Sequence, residues 1–163
     1  MYEPLKKFKV NRELNEGIYN LTELFKGLEH SFALKDIFKE GLKVFLKEVK
    51  VLLVDSRGYM RVSEKDGSII LNLNYLKKGD LRYLYLDIIH ELLHVKQFKE
   101  GKELYDSKYS YVDRLTEIEA YKVVLKEAKR LGMSKEEIEK YLKVEWISEE
   151  EFKRLLKHIE FSK

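Results

Sequence analysis

The chain contains two histidines and a glutamate at a spacing that could bind a metal ion and carry out chemistry with it: His90-Glu91-Leu92-Leu93-His94. Histidines four positions apart lie one turn apart on the same face of a helix, so both imidazoles can bind one metal. Glu91 follows His90 around the helix, where it can act as a general base on a metal-activated water. A zinc site of this kind needs a third protein ligand from elsewhere in the chain.

The residues around this motif predict a long and largely buried helix. Asp80 is a typical N-cap residue, and neither glycine nor proline occurs between Leu81 and Lys99. Apolar residues recur at helical spacing and form one broad stripe: Leu81, Leu84, Tyr85, Ile88, Leu92 and Val95. Two histidines and a carboxylate are costly to bury in such a helix unless a partner satisfies them. The pattern therefore favours a metal site over a partly exposed face that carries ordinary histidines.

The next predicted helix, Val112 to Leu131, offers two candidate carboxylates for the third ligand. At about 100° per residue, Glu117 shares a face with apolar residues: Ala120, Tyr121, Val124, Ala128 and Leu131. Glu119 lies on the opposite face, among basic side chains. A buried carboxylate needs a partner and zinc is a suitable one, so Glu117 is predicted as the ligand and Glu119 as a surface residue. The alternative for Glu117 is an ion pair with Arg114 or Lys126.

The pattern that these residues form resembles the metal-site sequence of a known group of enzymes. The segment His90-Glu91-x-x-His94, followed by Glu117-Ile118-Glu119-Ala120, resembles the gluzincin clan of zinc metallopeptidases. It is most similar to the small soluble minigluzincins and to the catalytic cores of related membrane metallopeptidases, over roughly residues 51–131. The resemblance implies that His90, His94 and Glu117 hold Zn²⁺ and that Glu91 is the catalytic base. It departs at Tyr121, because membrane relatives often carry there an aspartate that supports a ligand histidine.

Composition and charge narrow the class of protein. Of the 163 residues, 44% are hydrophobic and 37% are charged, and 32 basic side chains nearly balance 29 acidic ones. A net charge of +3 gives no basis for a nucleic-acid partner, and no apolar run reaches the ~18 residues of a membrane span. The absence of cysteine excludes thiol chemistry, and no signal peptide is evident, so a cytoplasmic protein is expected. Abundant Lys, Glu and Tyr with few Gly is typical of thermophile proteins.

The predicted fold is one α+β domain over residues 1–163, with a zincin-like arrangement implied by the resemblance to gluzincins. Residues 11–49 predict two N-terminal helices, capped by Asn11 and Ser31. Residues 50–131 are expected to form the zinc-binding core. Residues 132–163 predict two C-terminal helices that begin at capping boxes, with Trp146 between them as a core anchor.

Three short strands are predicted within the zinc-binding core, at 50–55, 59–63 and 68–73, and they form a small, mostly antiparallel sheet packed on helices. The Asp66-Gly67 turn joins the last two strands. An exposed edge of this sheet is expected to bind a peptide or protein substrate by backbone pairing, and the resemblance implies that this edge lies beside the zinc. The alternative is a sheet edge that is merely blunted by Arg and Lys.

The polar connection before the second ligand helix carries candidate oxyanion stabilisers, namely Tyr109, Tyr111 and Arg114. Peptide hydrolysis needs a donor for the negative charge that develops on the carbonyl oxygen. Packing within the connection is the alternative for each of the three. Asp113 is predicted to cap the following helix.

Three functions compete at this point. The first is a zinc-dependent peptidase with Glu91 as general base. The second is a non-catalytic or latent metal-binding module that binds a partner protein, and the third is a regulatory protease with a single partner substrate. Glu91 favours a peptidase, because a purely structural zinc site has a closed fourth position and no use for a base.

Overall fold

The computed structural model describes residues 2–161, and this part of the chain has an α+β fold, as predicted. Its α-helices are α1 (Glu3–Lys7), α2 (Leu21–Leu24), α3 (Phe32–Phe38), α4 (Leu42–Glu48), α5 (Leu73–Lys78), α6 (Leu81–Lys99), α7 (Leu115–Arg130), α8 (Lys135–Leu142) and α9 (Glu149–His158). Its strands are β1 (Lys9–Val10), β2 (Gly17–Asn20), β3 (Phe25–Lys26), β4 (Lys50–Val54), β5 (Met60–Val62) and β6 (Ile69–Asn72). One cluster of buried apolar residues joins these helices and sheets.

Four strands form the main sheet, in the order β2-β4-β6-β5. β4 and β6 run parallel, whereas β2 pairs with β4 and β5 pairs with β6 in antiparallel fashion. The prediction of three strands is therefore wrong, because β2 adds a fourth, whereas two of the three strand pairs are antiparallel, as in the mostly antiparallel sheet that was predicted. The two most apolar strands take the buried centre, and this leaves β5, which carries Arg61, at the edge beside α6. The Asp66-Gly67 turn joins β5 to β6, as predicted.

Residues 11–28 do not form the predicted first helix. They contain β2, the single turn α2 and β3, and β2 adds the fourth strand to the main sheet through pairs such as Ile18 with Leu52. Of the apolar face predicted for that helix, Leu21, Leu24, Phe25 and Leu28 are buried, whereas Leu14 is half-buried and Ile18 is 75% exposed. Gly27 adopts a φ of +92°, and a Cβ there would lie 2.1 Å from the carbonyl oxygen of Lys7. The apolar pattern thus predicted burial correctly from Leu21 onward, but it was wrong for Ile18 and for the backbone conformation.

The second predicted helix, over residues 31–49, is divided into α3 and α4. Ser31 caps α3 as predicted, because its Oγ accepts a hydrogen bond from the Leu34 amide at 3.3 Å. The chain then leaves the helical conformation at Lys39, which has a φ of +52°, and resumes it at Leu42. The break lets α4 lead directly into β4.

The helix that carries the metal-site motif forms as predicted. Asp80 caps α6, with Oδ1 accepting from the amides of Arg82 at 2.8 Å and Tyr83 at 3.3 Å. The chain turns away at Gly101, whose φ is +82°. Although α6 is the longest helix of residues 2–161, neither it nor any other helix in that range is long and apolar enough to cross a membrane.

The C-terminal helices confirm one set of predictions and correct two others. α8 and α9 begin at capping boxes, on Ser134 and Ser148. Trp146, predicted in the core, is 52% exposed, because the connection between the two helices carries it across the surface instead. Asp113 does not cap α7: its carboxylate instead contacts Arg154 at 3.0 Å and His158 at 2.9 Å, both on α9.

A fully buried carboxylate on α7 holds the N-terminal elements against α6. Glu127 Oε2 accepts hydrogen bonds from the hydroxyls of Tyr2 at 3.0 Å, Ser31 at 3.1 Å and Tyr85 at 2.6 Å. Its Oε1 pairs with Arg130 at 2.8 Å. A buried charge with four donors is well satisfied, and removing one partner of such a group is costly. The network fixes α6 and α7, the two helices of the metal-site motif, relative to each other.

Candidate metal centre

The histidines of the motif lie one turn apart on α6 with their rings close together. The ring centroids of His90 and His94 are 4.7 Å apart, and both side chains are buried. They belong to a helix whose other face fills the core, so the backbone under them is held by packing on several sides. Two imidazoles therefore converge on one spot without any flexible segment.

The structure brings Glu117, and not Glu119, to the histidines. Glu117 lies in the first turn of α7, buried, with Oε1 at 2.8 Å from His90 Nε2 and 3.0 Å from His94 Nε2. One ligand atom from each of these three residues lies within 4.8 Å of the other two. Glu119 is exposed. The helix-phase argument thus selected the carboxylate that reaches this group.

Gln97, which the sequence analysis missed, determines which ring nitrogen of His94 carries the proton. The Gln97 amide nitrogen donates to the Thr116 carbonyl at 3.0 Å and to Glu119 Oε1 at 2.7 Å. Its oxygen is therefore the acceptor for His94 Nδ1, at 2.6 Å. A neutral His94 that donates from Nδ1 carries its lone pair on Nε2, the atom facing Glu117. The sequence hinted at this contact, because Gln97 follows His94 by one helical turn on a buried face.

This arrangement fits a metal cation. The Nε2 lone pair of neutral His94 and the Oε1 of Glu117 are both acceptors, so they repel unless a proton or a cation lies between them. Burial alone would lower the pKa of His94, but the Glu117 carboxylate raises it to about 9. Burial would likewise raise the pKa of Glu117, but the two histidines lower it to about 2. Two imidazole nitrogens and an ionised carboxylate are one of the ligand sets that hold metal ions in proteins.

A first prediction concerns Gln97. Gln97→Leu is expected to weaken zinc binding by about 10- to 100-fold, because groups that orient a ligand histidine have effects of this size. Competition with a chromogenic chelator measures the affinity. Glu100→Gln, a surface change on the same stretch of chain, is the control and is expected to bind zinc like the wild type. Equal affinities of Gln97→Leu and the wild type would show that Gln97 does not orient His94.

Glu91 is buried and next to the histidines. Burial raises its pKa to about 7, although His90 and His94 act in the opposite direction. A general base works best when its pKa is close to the working pH. Glu91 therefore has the surroundings of a carboxylate that can take up and release a proton near neutral pH.

Two cavities meet at Glu91. We call the one of about 330 Å³ the tyrosine cavity, because Tyr59, Tyr75, Tyr83 and Tyr141 line it. The other, of about 200 Å³, is called the arginine cavity, after Arg57 and Arg61 at its rim. Residues common to both are Tyr59, Met60, His90, Glu91, Tyr111 and Trp146. A molecule in either cavity therefore comes within reach of Glu91.

Of the three oxyanion candidates, the structure brings Tyr111 to this site. Tyr111 lines both cavities, and its hydroxyl lies 2.7 Å from that of Tyr121. Tyr109 and Arg114 lie instead around a separate surface cavity on the outer side of α7. Tyr121 packs its ring edge-on to His90, with centroids 4.5 Å apart. The residue that departs from the gluzincin pattern thus supports a histidine by packing.

The edge strand β5 leaves one residue open toward the cavities. The Asn72 amide donates a hydrogen bond to the Tyr59 carbonyl at 3.0 Å, so these two residues form a hydrogen-bonded pair. Along an antiparallel ladder, such pairs alternate with pairs that share no hydrogen bond. The backbone groups of Met60 and Val62 therefore point away from β6. The Val62 carbonyl accepts from the Tyr105 hydroxyl at 2.6 Å. Met60, which lines both cavities, is the position where an added strand could pair.

Searches against protein-family models, curated proteins and solved structures find no match to this chain.

Proposed function

We propose that this protein is a zinc-dependent peptidase of the gluzincin type. One observation carries the proposal: His90, His94 and Glu117 converge with their ligand atoms within 4.8 Å of one another, next to the buried carboxylate of Glu91. A structural zinc site needs no base and no adjoining cavity. Here a base and two cavities adjoin the ligand group, as a hydrolytic site requires.

The residues have distinct roles in the proposed reaction. His90, His94 and Glu117 would hold the ion, with His94 oriented by Gln97. Zinc, when bound, supplies Lewis-acid activation of water and of the peptide carbonyl. Glu91 takes the proton from the attacking water on its carboxylate and passes it to the nitrogen of the leaving amine. Tyr111, the candidate nearest these residues, would donate to the carbonyl oxygen as it becomes negative.

An extended peptide is the substrate that the surroundings favour. The open backbone groups of Met60 can pair with one residue of an added strand, in the manner of other strand-binding proteins. A chain held there lies against the cavities that share Glu91. The edge thus orients a peptide bond, while side chains on either side of that bond enter the cavities.

Metal removal is the test of this proposal. Protein purified without added metal is expected to contain one zinc per chain and to cleave members of a diverse peptide mixture, identified by mass spectrometry. Dialysis against a zinc chelator is expected to reduce cleavage by about a thousandfold, because activation of water and carbonyl both depend on the ion. One equivalent of zinc is expected to restore it, while magnesium, which prefers oxygen ligands, is not.

Two results would contradict the proposal in different ways. Cleavage that survives complete zinc removal would exclude the metal mechanism. One tightly bound zinc without cleavage of any peptide would favour the metal-binding interaction module or the regulatory protease with a single substrate instead.

A further inference from the structure

The tyrosine cavity contains an acidic group that the proposed mechanism does not use. Asp87 lies on α6 one turn before His90, and its carboxylate accepts hydrogen bonds from the hydroxyls of Tyr75 and Tyr141. Residues three apart share a helix face, so Asp87 faces the same side of α6 as His90. The cavity reaches from Asp87 to His90 and Glu91.

Asp87 has no positively charged partner among residues 2–161. Both of its hydrogen-bond donors are neutral, and none of the ion pairs in this range includes it. Each carboxylate oxygen accepts a hydrogen bond from one phenol hydroxyl, and each can accept a further bond. Asp87 is half-buried, so its carboxylate is partly removed from water, and burial of a charge is costly unless the charge is paired. A positively charged group that enters the cavity would form an ion pair with the Asp87 carboxylate.

The walls of the cavity also suit a cation. The rings of Tyr59 and Tyr75 have centroids 4.8 Å apart, those of Tyr83 and Tyr141 are 5.0 Å apart, and Trp146 lies 6.1 Å from Tyr59. Faces of such rings attract ammonium and guanidinium groups. These aromatic walls surround the Asp87 carboxylate, and Glu91 is a second carboxylate in the lining of the cavity.

Charges at the mouth of the cavity are mixed. Lys140, Lys143 and Glu145 lie there, and Lys143 is paired with Glu149. These side chains are exposed, so water and salt screen their charges. Inside the cavity an entering group meets the carboxylates of Asp87 and Glu91, and Asp87 is the one that the tyrosine hydroxyls hold. A volume of about 330 Å³ accommodates one long side chain or a chain terminus.

We propose that the tyrosine cavity is a specificity pocket for a positively charged group of the peptide substrate. This inference rests on the proposed peptidase function. The group is either a lysine or arginine side chain next to the cleaved bond, or the free α-ammonium at the start of a peptide. Asp87 binds the charge, and the tyrosine rings and Trp146 bind the alkyl part.

Paired peptides test the pocket through cleavage. The wild type, Asp87→Asn and Glu145→Gln are each incubated with peptides that differ at one position in carrying lysine, arginine, norleucine or glutamate. Each peptide is made with a free and with an acetylated N-terminus. The wild type and Glu145→Gln are expected to prefer cationic peptides by about tenfold or more, since a pocket built for a polar group rejects analogues that lack it. In Asp87→Asn the preference is expected to fall to about twofold.

Binding without turnover gives a second measurement on the wild type. Trp146 is the single tryptophan of the chain and lines both cavities, so its fluorescence reports on both, and the same titration of Asp87→Asn identifies the part due to the tyrosine cavity. N-acetyl-argininamide carries only a side-chain cation, norleucinamide carries only an α-ammonium, and N-acetyl-norleucinamide is neutral. We expect at least one of the two cations to change the fluorescence at concentrations about tenfold lower than the neutral compound. The cation that does so identifies which charged group the pocket takes.

The possible outcomes distinguish failure of the specificity-pocket proposal from failure of the peptidase proposal. Cleavage of norleucine or glutamate peptides as fast as of their cationic counterparts would overturn the pocket and leave the peptidase intact. If no peptide is cleaved, the proposed function fails, and the fluorescence titration still decides the pocket. Equal responses to the cationic and neutral compounds would overturn it. A selective response that disappears in Asp87→Asn would support it as a cation site.

Discussion

Glu91→Gln is expected to abolish peptide hydrolysis while zinc binding and the fold stay intact. Glutamine has nearly the same shape as glutamate but cannot accept a proton at neutral pH. Loss of a positioned general base reduces rates by about 10²- to 10⁴-fold, and Glu91 serves both the attacking water and the leaving amine, so we expect the upper part of this range. Glu91 is buried and is the carboxylate common to the linings of both cavities.

Three measurements on Glu91→Gln separate chemistry from structure. Zinc per chain and the thermal unfolding curve are expected to match the wild type, and the peptide cleavage rate is measured on the same samples. Cleavage within tenfold of the wild-type rate, with zinc bound, would exclude Glu91 as the base.

Glu117→Ala is expected to lose zinc, whereas Glu119→Ala keeps it. Glu117 Oε1 contacts both histidines and is the single anionic ligand of the group. Its removal should weaken binding by more than the roughly 10- to 100-fold typical of groups that only orient a ligand. Glu119 is exposed and touches the site only through Gln97. The two variants remove the same side chain from the same helix two positions apart, so they form a matched pair.

Zinc content after dialysis, together with circular dichroism, measures this difference. The spectra show whether either variant has lost helix, which separates loss of the ligand from loss of the fold. Equal zinc content in two folded variants would refute the assignment of Glu117 as a ligand.

The grouping of the three ligand side chains was predictable because it depends on short-range geometry. His90 and His94 need only one helical turn, and the phase of α7 separates Glu117 from Glu119. Gln97 was missed because its partners, Thr116 and Glu119, lie on the other helix. Helix periodicity gives the face of a residue but not the residue that it meets after docking.

The N-terminal error has a similar physical origin. Leu21, Leu24 and Leu28 follow a helical period, and all three are buried. However, pairing of β2 with β4 supplies backbone hydrogen bonds from about 30 residues away, and such long-range pairing outweighs local preference. Trp146 was misassigned because a large aromatic residue between two helices fits the core and a cavity wall equally well. Its 52% exposure and its contacts with Tyr59 and Tyr111 assign it to the cavity wall.

The polar residues of α6 have a consequence for tracing the ancestry of this chain. Asp87, His90, Glu91, His94 and Gln97 all lie on one helix, and each is one turn or one residue from the next. One unbroken segment therefore encodes the proposed pocket charge, two ligands, the base and the group that orients a ligand. The pattern D-x-x-H-E-x-x-H-x-x-Q, followed by a glutamate on the next helix, is short enough to persist after whole-chain similarity has disappeared. Distant relatives that share this chemistry would be recognised by that segment before any resemblance in the surrounding sheet.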